Sequence, residues 1–264
     1  MHSSESLKQD LRNAGFSGNE TVMVHSSMKK IGEVNGGADT VLDVLCDFFQ
    51  DGIVALPSFT YSAVNLGNSF IYYERTTPSC VGILPERFRF RPGGCRSLHP
   101  NHAVAAFGKY AEDFVKGHET CISAFGADGP FGRLYRNDGK VLLLGVTLTR
   151  ASIMHAFIEW SNIAIMCKEP LFFKSVDKNG REYNVKLYYH LGGQWDNFDR
   201  ILDVLLADGA VRKIKFGDAD SLLMDCRRAG DIVMKTVQEN PKFFYNPDFP
   251  ESMQYPGISI SDAK

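Results

Sequence analysis

The chain has 264 residues and a formal net charge of −2, from 29 basic and 31 acidic residues. That length can bury a full core without a disulfide or a metal. The balanced charge excludes the clustered basic face that nucleic acid requires, leaving a small molecule as the expected partner. The six cysteines are scattered without a Cys-x-x-Cys pair, the N-terminal residues contain no signal-like apolar core, and no stretch approaches the ~18 consecutive apolar residues of a membrane span. These features predict a reduced, cytoplasmic protein with no membrane span.

Residues 4 to 15 read as a helix closed by Gly15, and Thr21-Val-Met-Val-His25 as a short strand buried on both faces. A polar loop, Ser26 to Gly37, follows. Asp39 or Thr40 then opens an amphipathic helix with apolar residues at 41, 42, 44, 45, 48 and 49, which stops at Gly52. Ile53-Val-Ala-Leu56 is a second buried strand, so residues 21 to 57 form a strand, helix, strand unit of an α/β sheet. Ligands of such sheets bind beyond the carboxyl ends of the strands, here His25-Ser26-Ser27 and Pro57-Ser-Phe-Thr-Tyr61.

Residues 62 to 95 form a long surface excursion with a helical piece near 82 to 91. Strands return at Ala103 to Ala106 and at Val141 to Gly145, and a helix from about Ala151 to Ile165 carries His155 and Glu159. Leu171 to Val176 and Tyr183 to Tyr189, joined across Asp177 to Gly180, give a hairpin signal. Asp196 is the expected N-cap of a helix that ends at Gly209; a strand near Val211 to Phe216 and a long helix from Asp218 to Glu239 complete the reading. No repeat or linker divides residues 1–264, which are expected to form one α/β domain with a hairpin elaboration.

Several side chains offer chemistry. His25-Ser26-Ser27 could be an ordinary turn or a set of hydrogen-bond donors to a ligand. His99 and His102 lack the further ligands or the His-Glu-x-x-His pattern of a zinc site, so no metal is expected, and Arg96 suits a phosphate or carboxylate. His155 and Glu159 share a helix face at i and i+4; they read either as a surface pair or as a general base and its neighbour, with Asp196 as the orienting acid. No Gly-x-Ser-x-Gly elbow or activated cysteine suggests a covalent acyl-enzyme.

Four segments in order resemble the aminoglycoside 3-N-acetyltransferase family, also called the antibiotic N-acetyltransferase family. They are Val24 to Gly32 with Gly36-Gly37-Ala38, Leu56 to Tyr61, Arg96-Ser-Leu-His-Pro-Asn-His-Ala-Val-Ala-Ala-Phe-Gly108, and Val141 to Val146 with His155; a weaker match lies at Asp196 to Phe198. The resemblance covers roughly residues 20 to 200. It implies a layered α/β/α fold around a mixed central sheet, and direct acetyl transfer from acetyl-CoA to an amine of an amino sugar. His25, Ser26, Ser27, Met28, Arg96, Ser97, Val104 and Ala105 would hold the coenzyme, His155 and Asp196 would be catalytic, and Thr60, Tyr61 and Glu159 would meet the acceptor.

The family's acid three residues after the histidine is replaced here by Ile158, with Glu159 next to it. Together with Phe59 to Ser62, Arg75 to Ser79, Phe125-Gly126 and Pro130 to Gly132, this departure favours relatives linked with surface-polysaccharide sugars, and so a nucleotide- or carrier-linked acceptor. The alternatives are aminoglycoside inactivation, a coenzyme A-binding protein without catalysis and, more distantly, a metal-dependent hydrolase. A homodimer is one assembly compatible with this reading.

Overall fold

The computed structural model describes residues 1–65, 67–164, 166–189 and 197–245. Helix α1 (Ser4–Asn13) begins with a reciprocal capping box between Ser3 and Ser6 and buries Leu7 and Leu11, one turn apart, on a single face. Strand β1 (Thr21–Ser26) leads into a single helical turn, α2 (Met28–Ile31), inside what the sequence presents as a polar loop; Ile31 anchors that turn in the core. Helix α3 (Gly37–Phe48) returns the chain to β2 (Ile53–Pro57), which runs parallel to β1.

The excursion that follows contains a three-residue strand, β3 (Ile71–Tyr73), and helix α4 (Ile83–Phe88). The short β4 (Cys95–Arg96) and then β5 (Val104–Gly108) bring the chain back to the sheet, both antiparallel to their neighbours. Helices α5 (Ala111–Val115) and α6 (Pro130–Arg136) precede β6 (Lys140–Leu144), which pairs parallel with β1 on the side opposite β2. Helix α7 (Ile153–Trp160) follows after a 3₁₀ turn, shorter than the expected 151 to 165.

Strands β7 (Leu171–Val176) and β8 (Glu182–Leu187) form the expected hairpin. Strand β3 adds to it in parallel, turning it into a three-stranded sheet and tying the excursion down. A 3₁₀ turn at Phe198–Ile201 and helix α8 (Leu202–Asp208) lead to β9 (Val211–Phe216).

The expected long helix from Asp218 is wrong at its start. Residues Ala219–Asp225 form strand β10, and helix α9 (Cys226–Glu239) begins only after Asp225, whose side chain accepts from the Arg228 backbone as an N-cap. Gly217 and Asp218 make a two-residue hairpin turn, with Phe216 paired to Ala219 and Gly217 at φ 58°, a backbone setting that favours glycine. Burial alternates at Ala219, Ser221 and Leu223, the period of a strand.

The main sheet has the order β4-β5-β2-β1-β6-β10-β9. Alternate residues of β1, β2 and β6 point into two separate cores. Met23, Ala55, Val141 and Leu143 pack with α5 to α9, while Val22, Val24, Val54, Leu142 and Leu144 pack with α1, α3 and α4. Burial on both faces explains why these strands are apolar without alternation and establishes the α/β/α layering. Each fully buried Val or Leu side chain contributes about 1.5–3 kcal/mol. No helix among the described residues is long and apolar enough to cross a membrane.

Strands β1, β2 and β6 share a direction, so their carboxyl ends reach one edge. β5 runs the other way, and its register pairs Pro57 with Val104, so its lead-in arrives at the same edge. With β2 and β6 on opposite sides of β1, this edge is a topological switch point, where a crevice opens between the connections.

Candidate active site

A cavity of about 470 Å³ occupies that crevice, a volume suited to a small organic ligand. His25 and Ser26 reach it from the end of β1, and Phe59 and Tyr61 from beyond β2. His99, Asn101 and His102 line it from the lead-in to β5, and Val146 and His155 from beyond β6. Tyr188 and Tyr189 close it from the small sheet. Burial first, and then neighbouring Cys80, raise the Tyr61 phenol above its usual range. Arg150 is the one cationic Lys or Arg side chain lining the cavity among the described residues.

His155 lies in the first turn of α7, half-buried. Phe125 lies nearly parallel to its imidazole, with ring centroids 5.2 Å apart and an interplanar angle of 17°; Phe198 meets it edge-on at 5.0 Å. On its other side Phe125 meets His102 at 5.5 Å. The segment carrying Phe125 is fixed at several points: Trp160 Nε1 donates to the Phe125 carbonyl at 3.0 Å, the Tyr188 backbone N–H to Ile122 at 2.7 Å, and the Ser123 hydroxyl to Glu159. Burial raises the Glu159 carboxyl above its ordinary range, and the Ser123 bond opposes that rise.

The histidines around the cavity have defined hydrogen-bond roles. His118, beneath it, donates from Nε2 to the Ala124 carbonyl at 3.1 Å and accepts the Ser97 hydroxyl at Nδ1 at 2.9 Å. The Val104 backbone N–H donates to that same hydroxyl at 2.8 Å, so Ser97 is fully used. Burial pushes His118 down to about 4 and His25 down to about 3, and holds His99 well below its ordinary value. His102 Nδ1 donates to Asn101 Oδ1 at 2.8 Å, and Asn101 Nδ2 donates to the Tyr189 hydroxyl at 2.5 Å.

Some expected site residues do not reach the cavity. The Arg96 guanidinium donates to the carbonyls of Glu74, Thr77 and Ser58, at 3.1, 2.7 and 2.8 Å, and is 5% exposed. It holds the excursion against the sheet and has no open face for a coenzyme phosphate. Ser97 is consumed as described, and Val104 and Ala105 are buried β5 residues facing the two cores. The Thr60 hydroxyl donates to the Pro100 carbonyl at 2.5 Å, so it too is committed to backbone. Glu159 faces Ser123 and is not among the lining residues. Met28 packs on the core beside α1 and α3, and Ser27 leads α2 with its backbone N–H bonded to Leu144. Asp196 lies outside the described residues.

The structure does bring together His25, Ser26, Tyr61 and His155. It adds Phe125, Asn101, Ser152 and the Tyr188-Tyr189 pair, which sequence reasoning did not single out as site residues. Phe125 carried a signal in its Phe-Gly pair, but only the fold shows an aromatic ring set flat against a histidine thirty residues away.

The family model described as aminoglycoside 3-N-acetyltransferase matches residues 23–238. An SPbeta prophage-derived aminoglycoside N(3')-acetyltransferase-like protein, YokD, from Bacillus subtilis strain 168 is 31% identical over 171 residues, 57% of this chain and 62% of its own length. Aminoglycoside N(3)-acetyltransferase VII from Streptomyces paromomycinus is 26% identical over 265 residues, covering 88% of this chain and 90% of its own. Among solved structures, AAC-IIIb in binary complex with CoASH superposes with a TM-score of 0.76 at 23% identity, over 94% of this chain and 99% of its own.

Proposed function

Because the chain belongs to the aminoglycoside 3-N-acetyltransferase family, we propose that it is an acetyl-CoA-dependent N-acetyltransferase whose acceptor is an amine of an aminoglycoside and whose general base is His155. One observation carries the assignment: the His155 imidazole is half-exposed in the switch-point cavity and oriented by Phe125 and Phe198. Imidazole is the side chain whose ordinary pKa lies nearest neutrality.

The acceptor enters as an ammonium and must lose a proton before its nitrogen can attack. His155 takes that proton, the amine nitrogen bonds to the thioester carbonyl carbon, and the carbon–sulfur bond breaks. The imidazolium then returns a proton to the departing thiolate, and the attacking nitrogen releases its second proton to solvent as the amide forms, so ammonium and thioester become amide, thiol and one free proton without a covalent enzyme intermediate. Asp196 is the orienting acid we propose for the imidazolium. His25 and Ser26 at the end of β1 are the proposed contacts for the acyl carrier, and Tyr61 for the acceptor. The coenzyme fits the lining: a cavity walled by aromatic and neutral polar groups suits a pantetheine arm, and Arg150 at the exposed rim suits a phosphate.

The relatives are named for aminoglycosides, so the aminoglycoside acceptor is preferred to the carrier-linked sugar expected from the sequence. Ile158, at the usually acidic position, is 2% exposed within the core beneath α7, where an unpaired carboxylate would be costly. The missing acid therefore reflects packing of this helix and does not argue for loss of catalysis.

The test is steady-state acetylation with a panel of aminoglycosides, and with a nucleotide-linked amino sugar beside it. Wild-type turnover of an aminoglycoside, reduced on the order of 10²–10⁴-fold in His155→Ala, is the expected result. Full activity in His155→Ala would remove the base assignment, and turnover of only the nucleotide-linked sugar would remove the acceptor assignment.

A further inference from the structure

The cavity wall holds a polar atom for which the transfer chemistry above has no use. His99 lies in the lead-in to β5, fully buried, and is one of the residues lining the cavity. Its Nδ1 accepts the His102 backbone N–H at 3.0 Å. A backbone amide can only donate, so Nδ1 must carry the lone pair and the ring proton sits on Nε2. Burial and the neighbouring His118 and His102 keep the ring neutral. Nε2–H is thus an obligatory donor, and it meets no acceptor within the described residues.

His25 Nε2 and Ser58 Oγ are likewise unmatched, but the groups packed around His99 differ. Ser97, Thr60 and both nitrogens of His118 have partners, and Asn101 bonds both His102 and Tyr189. A buried donor left unmatched amid such a network is unfavourable unless a ligand or water supplies the acceptor.

We propose that the His99 Nε2–H is a built-in donor for a carbonyl oxygen of acetyl-CoA, that of the thioester or of a pantetheine amide. The proposal rests on the acetyl-CoA reading of the cavity. A carbonyl suits this atom better than a phosphate does. A neutral imidazole in a desolvated wall matches a neutral acceptor, whereas a phosphate there would lose its hydration without a compensating cation. Because Nδ1 is occupied by the His102 amide, His99 is barred from acting as a second base. It polarises or positions the carbonyl while His155 moves the proton.

The test uses His99→Asn, whose side-chain oxygen can replace Nδ1 as acceptor for the His102 amide but which has no donor at the Nε2 position. Melting temperature reports the structural role. Calorimetry with coenzyme A, steady-state kinetics and the ring N–H proton resonance of the wild type report the ligand role. If the thioester oxygen is the acceptor, kcat falls on the order of 10²-fold with KM for acetyl-CoA unchanged. If a pantetheine amide is the acceptor, KM and the Kd for coenzyme A rise roughly tenfold, as expected for one lost ligand hydrogen bond, while kcat holds. In either case the wild-type His99 ring N–H resonance shifts on adding a thioether analogue of acetyl-CoA.

A folded His99→Asn protein with wild-type kcat, KM and coenzyme affinity would overturn the proposal. If His99→Asn does not fold, the wild-type resonance decides: a shift supports the donor role and its absence refutes it. A wild type that binds no coenzyme A would overturn the acetyl-CoA reading as well, whereas normal wild-type binding with an indifferent His99→Asn would remove only His99.

Discussion

Acidification from pH 8 to 5.5 should destabilise this fold steeply through its buried histidines. His25 and His118 have folded pKa values of about 3 and about 4, and His99 lies well below its ordinary value, all because burial penalises the charged ring. The unfolded chain takes a proton at each near pH 6.5, so between that value and the folded pKa the unfolded state binds more protons and stability is lost as pH drops. At pH 5.5 each ring held neutral costs RT ln(1 + 10), on the order of 1 kcal/mol. His25 and His118 together remove about 2–3 kcal/mol from a total of the order of 5–15 kcal/mol, and His99 acts in the same direction.

The clean measurement is a difference. His118→Gln keeps an amide donor toward the Ala124 carbonyl and an acceptor toward Ser97, but it has no proton to gain. Urea unfolding followed by tryptophan fluorescence at pH 8 and 5.5 should show this variant losing on the order of 1 kcal/mol less than the wild type. Equal losses would mean that folded His118 takes up a proton at pH 5.5, and the account of its buried, doubly bonded ring would be wrong.

Arg96→Leu should unfold more readily by about 3 kcal/mol or more, because three carbonyls lose their donor in a buried setting; urea titration measures it. Arg96→Lys, if folded, should keep KM for acetyl-CoA within about twofold, since no coenzyme contact is lost. Gly217→Ala should cost clearly more than Gly209→Ala in thermal melts. Both positions have positive φ, but a Cβ at 217 would meet the Ile31 carbonyl oxygen at 2.4 Å, while at 209 nothing lies within 4 Å. Glu159→Gln should retain the bond from Ser123 and most of the activity, whereas Glu159→Ala should free the segment carrying Phe125 and lower kcat in steady-state assays.

The central strands were readable because Met23, Val54 and Leu142 sit in a sheet buried on both sides, which leaves an unbroken apolar run. Strand β10 was not, since Ala219 to Asp225 runs directly into α9 and its mixed composition fits a helical continuation; only the Gly217-Asp218 turn, which folds it back on β9, marks it as a strand. In the site, the arrival of His155 at the cavity was legible from its place after the strongest strand. Arg96, Ser97 and Thr60 do not line the cavity, for a common reason. A guanidinium or hydroxyl suggests a ligand contact by type, but its acceptors here are carbonyls or a ring nitrogen brought in from 19 to 40 residues away. Sequence shows the donor and hides the acceptor.

The pairing of Pro57 with Val104 has an evolutionary corollary. The excursion between them departs after Pro57 and ends beside it at Val104, touching the main sheet on the way only through the two-residue edge strand β4, like a bag drawn shut at its neck. Insertions, deletions or exchanges inside the bag, outside β3 and β4, can reshape the wall formed by Tyr61, Cys80 and Pro85 without shifting the register of β1, β2, β5 or β6. His155 hangs from β6, beyond β1 from that neck. With the roles proposed for Tyr61 and His155, acceptor choice and proton transfer would be built on separately heritable parts, and a change of substrate would be a change of pouch with the same base.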